Sequence, residues 1–212
     1  MAEEFIKFWA ELANRYDSAI DNIMGDKIRP KIREKLNKED NLKNLIELGC
    51  GTGYFTKTLA KKSESIISTD ISEEMLSIAR EKLKGFEFQV MDCQDCKFDN
   101  GIFDTVFMGL VLLFTEPEKA LKESYRILKP GGLLIIADPD ISFLSSYGNL
   151  KFRFKALVNY RRIPNTGHFL NQGKIVNMLD KIGFEVISKE IIRDDSDPNY
   201  VTVNYIKATA RK

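Results

Sequence analysis

Two hydrophobic periods divide this chain. Over residues 3–17 the apolar positions Phe5, Phe8, Trp9, Leu12 and Tyr16 recur at three- and four-residue steps, the spacing of one helix face. Ile20, Ile23, Met24 and Ile28 carry that spacing toward Pro30, so the first forty residues are expected to be helical. From residue 44 the pattern changes. The short runs NLIELG, SIISTD, FEFQVMD, FDTVFMG and LLIIADP read as strands and alternate with helix-like segments. Ser72 followed by Glu73 and Glu74 suits a helix start, through capping and the dipole. Thr115-Glu116-Pro117-Glu118 has capping-box spacing with an early proline, and the helix it opens runs into Pro130-Gly131-Gly132.

Five strands with helical crossovers predict a mostly parallel sheet covered on both faces. Further on, IVNMLDKIGFEVISKEII reads as helix, glycine stop and strand, and YVTVNYIKATA as another strand. The turn between these two is rich in Asp, Ser and Pro and holds no helix, so an antiparallel pairing is expected. The resulting fold class is α/β: a three-layer α/β/α sandwich on a mostly parallel seven-stranded sheet with an antiparallel C-terminal strand, plus N-terminal helices. One domain is expected over 1–212, with a helical cap (1–40), a core (41–139), a less regular segment (140–172) and a closing helix with β-hairpin (173–212).

Composition narrows the function classes. Lys and Arg total 32 and Asp and Glu 31, so no global charge draws the chain to nucleic acid or an anionic membrane. A hydrophobic share of 43% excludes a generally disordered chain. No apolar run reaches the roughly 20 residues of a membrane span, and the opening MAEEFIKFWAEL lacks the separate apolar core of a signal peptide. Three cysteines cannot all pair internally, which favours a reducing compartment. The expectation is a soluble cytoplasmic protein with no nucleic-acid or membrane partner.

The chemistry starts at LIELGCGTGYFTKT, residues 45–58, where Gly49, Gly51 and Gly53 follow the first strand. Glycines at such a turn permit unusual backbone angles and let main-chain atoms approach a ligand. A dinucleotide fingerprint needs a third glycine where Tyr54 stands. Asp70, ending SIISTD, can accept from both hydroxyls of a ribose, which any adenosine-type cofactor would supply. MDCQDCKF places Asp92 and Cys93 where an adenine edge would lie, a carboxylate for the exocyclic amine and a backbone amide for a ring nitrogen.

IELGCGTG, TDIS, MDCQDCKF before GIFDTVFMG, and EPEKALKESYRILKPGGLLIIADP follow one another over residues 45–139. In this order the segment resembles the class I S-adenosylmethionine-dependent methyltransferases, particularly those acting on small molecules. The resemblance implies a Rossmann-like core, S-adenosyl-L-methionine as cofactor and S-adenosyl-L-homocysteine as product. It also implies cofactor contacts from Glu47, Gly49, Cys50, Gly51 and Gly53, with Asp70 on the ribose and Ile71 beside the adenine. Asp92 and Cys93 would meet the adenine edge, and Met108 would lie near the cofactor. Tyr16-Asp17 matches a Tyr-Asp pair that often closes the N-terminal helix over the cofactor; helix-face packing is the alternative for Tyr16. Many relatives have histidine where this chain has Phe114, and the Asn-Pro-Pro-Tyr type of element used on nucleobase amines is absent.

A sulfonium methyl needs no leaving-group proton, so no fixed catalytic motif is expected and none is evident. The acceptor is expected to be a small molecule, with an anionic one suggested by Lys151, Arg153, Lys155, Arg161 and Arg162 in an acceptor lid over 140–172. A solvated basic face is the plain alternative. Within the lid, Lys151 to Lys155 alternate with Phe152 and Phe154 as a strand would, while Tyr147, Leu150, Phe154, Leu157 and Val158 fit a helix face; helix is preferred. His168 is either a general base or a loop hydrogen-bonder. Cys93-x-x-Cys96 lacks two further nearby ligands for zinc, and its spacing is taken as coincidence. A protein acceptor, a non-catalytic cofactor-binding regulator and a nicotinamide oxidoreductase, which would share the ribose carboxylate, are the competing functions.

Overall fold

A computed structural model describes residues 2–160, 168–196 and 201–212. Three helices open the chain: α1 (Ala2–Leu12), α2 (Tyr16–Met24) and α3 (Ile28–Asn37), with a tight 3-10 turn at Ala13–Arg15 between the first two. Then β1 (Asn44–Leu48), α4 (Thr56–Ala60), β2 (Ser65–Asp70), α5 (Glu73–Lys82) and β3 (Glu87–Val90) follow. The chain continues as β4 (Phe103–Gly109), a 3-10 turn at Leu112–Phe114, α6 (Pro117–Ile127) and β5 (Leu128–Asp140). It closes with α7 (Ser146–Tyr160), α8 (Gln172–Ile182), β6 (Phe184–Ile192) and β7 (Thr202–Ala210).

The seven strands form one sheet in the order β3-β2-β1-β4-β5-β7-β6. β1, β2, β3, β4 and β5 are parallel, and β7 runs antiparallel to both β5 and β6. The predicted antiparallel hairpin is therefore present. Alternation along each strand feeds two cores, as the two-residue period requires. Phe107, Ile135, Ala137, Val203 and Tyr205 pack with the N-terminal helices on one face. Val106, Met108, Leu134, Ile136 and Ile206 pack with α6 and α8 on the other. Strand order reverses between β1 and β4, so the crevice beyond their carboxyl ends is where a ligand belongs in such a sheet.

Helix punctuation agrees with the sequence in one case and differs in the other. Ser72 caps α5, its hydroxyl accepting from the Met75 amide at 3.3 Å. At α6 the cap is Glu116 with proline as first residue, and no capping side chain bonds the helix. Thr115 is turned away: its hydroxyl donates to the Leu112 carbonyl at 2.8 Å, closing the preceding turn instead. The segment Lys151–Lys155 is helical, inside α7.

Candidate functional site

The loop after β1 and the turn after β4 meet at the crevice. Gly49 has φ +71°, and a Cβ there would fall 2.3 Å from Val111 Cγ2, so the close approach of these two connections requires glycine. Gly51 has φ +55° and faces the ring of Tyr16, whose Cε1 would lie 3.5 Å from an added Cβ. The loop is tied down by Asp70. Its Oδ2 accepts from the Gly51 amide at 2.8 Å and its Oδ1 from the Ser72 amide at 3.0 Å. Burial pushes the Asp70 carboxyl up, while these amides and that of Ile71 pull it back. Each oxygen retains a lone pair for a further donor.

These residues border a cavity of about 70 Å³. Tyr16, Gly49, Gly51, Asp70, Ile71, Asp92 and Cys93, seven of the residues singled out from sequence, are in its wall. Glu47, Cys50, Gly53 and Met108 are not among the lining residues. Glu47 lies beneath the loop, its Oε2 accepting from Thr56 at 2.6 Å and Ser68 at 2.7 Å. Burial raises its carboxyl to about 7 against those two bonds. Met108 is buried on the opposite face, 3.5 Å from the Ser124 hydroxyl. Gly53 faces Leu83, and the Cys50 side chain packs in a small cluster with Leu76, Ala79 and Phe88.

The cavity also has a roof. Phe5 and Trp9 of α1 line it with Phe114, and the Trp9 and Phe114 rings meet edge to face at 4.7 Å. Periodicity marks Phe5 and Trp9 as one apolar helix face; it carries no signal that the face covers a cavity. Gln94 was also legible only as a neighbour of Asp92. Its amide N–H groups donate to Asp92 Oδ1 and its Oε1 accepts from the Glu116 amide at 2.7 Å, bracing the wall. The α2 end of the roof is anchored electrostatically. Asp17 accepts from Arg29 at 2.7 Å, Lys82 at 2.6 Å and Thr52 at 3.0 Å, and Arg29, only 2% exposed, also pairs with Asp21 and lies 4.0 Å from the Tyr54 ring centroid.

A second cavity of about 240 Å³ adjoins the first, because Leu110 and Phe114 belong to both walls. Its other sides are Ile20, Ile23 and Met24 of α2, Pro139 and Ile141, Phe169, and Phe152, Arg153, Ala156 and Tyr160 of α7. Leu110 holds φ +61°, a strained position for a branched side chain, at the point where the cavities join. Burial holds the phenols of Tyr16 and Tyr160 well above the usual range, so both stay protonated. No carboxylate or imidazole lines this second cavity among the described residues.

The remaining predictions find these positions. The His168 side chain is exposed and its amide donates to the Leu113 carbonyl at 2.7 Å. Arg161 and Arg162 lie outside the described residues, leaving Arg153 as the cation contributed to the cavity by the described part of the lid. Cys93 and Cys96 are buried thiols, and burial pushes Cys96 up to about 12. Among the described residues no helix is long and apolar enough to cross a membrane.

Residues 46–136 match a family model described as a methyltransferase domain. An uncharacterised Methanocaldococcus jannaschii protein is 32% identical over 71% of this chain and 71% of its own length. A Staphylococcus carnosus demethylmenaquinone methyltransferase is 30% identical over 72% of this chain and 68% of its own. A Clavibacter sepedonicus protein of the same name is 37% identical, but the match spans 44% of this chain and 40% of that protein's length. The fold is shared with a solved Thermotoga maritima SAM-dependent methyltransferase, TM-score 0.71 at 24% identity, covering 98% of this chain and all of that one.

Proposed function

Because the chain belongs to the S-adenosylmethionine-dependent methyltransferase family, we propose that it moves a methyl group to a small, apolar acceptor held in the second cavity. S-Adenosylmethionine supplies a methyl already activated on a sulfonium ion and leaves as S-adenosylhomocysteine. The residues lining the first cavity fit an adenosine. Asp70 has acceptor capacity left after its two amide bonds and would take the ribose hydroxyls. Ile71, Met75, Met91 and Cys93 offer an apolar bed for a purine, and Asp92 an acceptor for its amine.

The chain's own work is then binding, orientation and exclusion of water. Leu110 and Phe114, shared by the two walls, would set an acceptor atom against the cofactor, close to the roughly 3 Å of a near-attack geometry. Tyr160 and Tyr16, kept protonated by burial, can offer an O–H to a ligand and do not remove protons. With no carboxylate or imidazole in the second wall, the reading favours an acceptor atom that attacks without a protein base at that wall.

One observation carries the choice of acceptor: the second cavity is apolar on nearly every side and shares Leu110 and Phe114 with the wall of the first. The quinone named for the Staphylococcus and Clavibacter relatives belongs to the same apolar class. To test it, the protein is incubated with methyl-labelled cofactor and a cell extract split into organic-soluble, aqueous small-molecule and protein fractions. Label entering the organic-soluble pool is the expected result. Label confined to the aqueous or protein pool would overturn the apolar acceptor.

A further inference from the structure

Helix α7 is apolar on both sides. Its inner face, Gly148, Phe152, Ala156 and Tyr160, is buried against α2 and the second cavity. Its outer face bears Tyr147 (68% exposed), Leu150, Phe154, Leu157 and Val158, all more than half exposed, and Phe143 just before the helix extends the patch. At 3.6 residues per turn the five outer positions fall within an arc of roughly 100°. On the same wheel Lys151 and Lys155 flank one edge of this arc and Arg153 the other. Large apolar side chains gathered this way mark an interaction surface, whereas scattered ones need no explanation.

The charge around the patch selects its partner. Between Asp140 and Asp180 the sequence contains six Lys or Arg residues and no Asp or Glu, in a chain whose totals are 32 and 31. An apolar arc bordered by long cationic side chains is the arrangement of a helix lying in a bilayer interface: the rings and branched chains enter the acyl boundary while Lys and Arg reach the headgroups. Local basicity of this kind draws a segment to anionic lipid even when net charge is near zero.

We propose that α7 docks on an anionic lipid bilayer surface, bringing the mouth of the second cavity to the membrane. The purpose of this docking rests on the apolar acceptor proposed above: Arg153 belongs both to the cavity wall and to the cationic edge, so an acceptor dissolved in lipid would enter beside it. No membrane-crossing helix is needed, because the contact is with one leaflet. The expectation from net charge that a membrane is not a partner concerns the whole chain, whereas this proposal concerns one helix.

The test uses the full chain with no acceptor present, so it stands apart from the identity of the substrate. Co-sedimentation is measured with vesicles of phosphatidylcholine alone and of phosphatidylcholine mixed with phosphatidylglycerol. Binding to the mixed vesicles that weakens with added salt is expected. Phe154→Glu with Leu157→Glu should cut that binding at least tenfold while S-adenosylhomocysteine affinity, measured in parallel, is unchanged. Lys151→Gln with Lys155→Gln should lessen the preference for anionic vesicles. Absence of binding to either vesicle overturns the proposal. So does a wild-type dimer in sedimentation velocity that the Glu variant converts to monomer, since a second copy would then cover the patch.

Discussion

Asp70 is the residue on which the first cavity turns. One carboxylate holds the glycine loop through Gly51, starts α5 through Ser72, and faces the cavity with lone pairs to spare. Replacing it with Asn keeps the shape and one acceptor oxygen but removes the charge that strengthens bonds to hydroxyls. A hydrogen bond to a charged group contributes about 1.5–3 kcal/mol. Asp70→Asn should therefore weaken S-adenosylhomocysteine binding by roughly ten- to a hundredfold in calorimetric titration. Unchanged affinity would remove Asp70 from the ribose site. Phe114 shows a different residue-scale logic. Its ring packs on Trp9 and stands in the walls of both cavities.

At the scale of elements, α1 and α2 form a roof whose α2 end is tied down at Asp17. The cavity of about 70 Å³ is well below the roughly 300–1,000 Å³ of ordinary ligand pockets, so admitting an adenosine calls for the roof to lift. Asp17 ties α2 to Thr52 of the glycine loop, Lys82 of α5 and buried Arg29. Asp17→Ala should cost about 2 kcal/mol of stability, less than loss of a wholly buried pair because Arg29 keeps Asp21. It should also quicken S-adenosylhomocysteine release about tenfold, read by the emission of Trp9, the single tryptophan. An unaltered release rate would show that the anchor does not hold the roof. Elements were the legible level of this sequence. The strands, the hairpin and the Ser72 cap follow from local period and chemistry, which need no knowledge of distant contacts. Thr115 does not cap α6 because its hydroxyl is committed to the Leu112 carbonyl, a partner that only the folded turn after β4 supplies. The period of α7 was ambiguous for a physical reason: a helix with apolar residues on both faces loses the contrast that marks one. Phe5 and Trp9 announced a buried face, but what they bury is set by the sheet's switch point, forty and more residues away.

For the whole molecule, two buried acids in one sheet tie stability to pH. Glu47 on β1 is paired in register with Ser68 of β2, and burial raises it to about 7. Asp138 on β5 lies opposite Asn204 of β7, and burial raises it to about 8, with Asp140 adding to the shift. Asp138 Oδ2 and Asn204 Oδ1 have no hydrogen-bond partner among the described residues, a cost that a proton on Asp138 can relieve. Both acids are higher in the folded chain than in the unfolded one, so the protonated form is favoured by folding. Their stabilisation is complete below the ordinary carboxylate range and is lost as pH rises through 7 and then 8, on the order of 3 kcal/mol for Glu47 alone. The acid limb has the opposite sign. Arg126 holds Glu123 below its usual value, and Lys82 and Arg29 outweigh burial at Asp17, so those pairs fail as pH falls. Thermal unfolding should thus peak on the mildly acidic side of neutrality and decline into the alkaline range. Glu47→Gln with Asp138→Asn should flatten the alkaline decline while leaving the acid one, and an identical slope in that variant would exclude these acids as its cause. The site feels the same titration, because Asp138 Oδ1 accepts from the Leu113 amide at 3.3 Å, within the turn that carries Phe114. Ionising Asp138 adds a buried charge whose Oδ2 has no partner among the described residues and whose Oδ1 holds the turn beside both cavities.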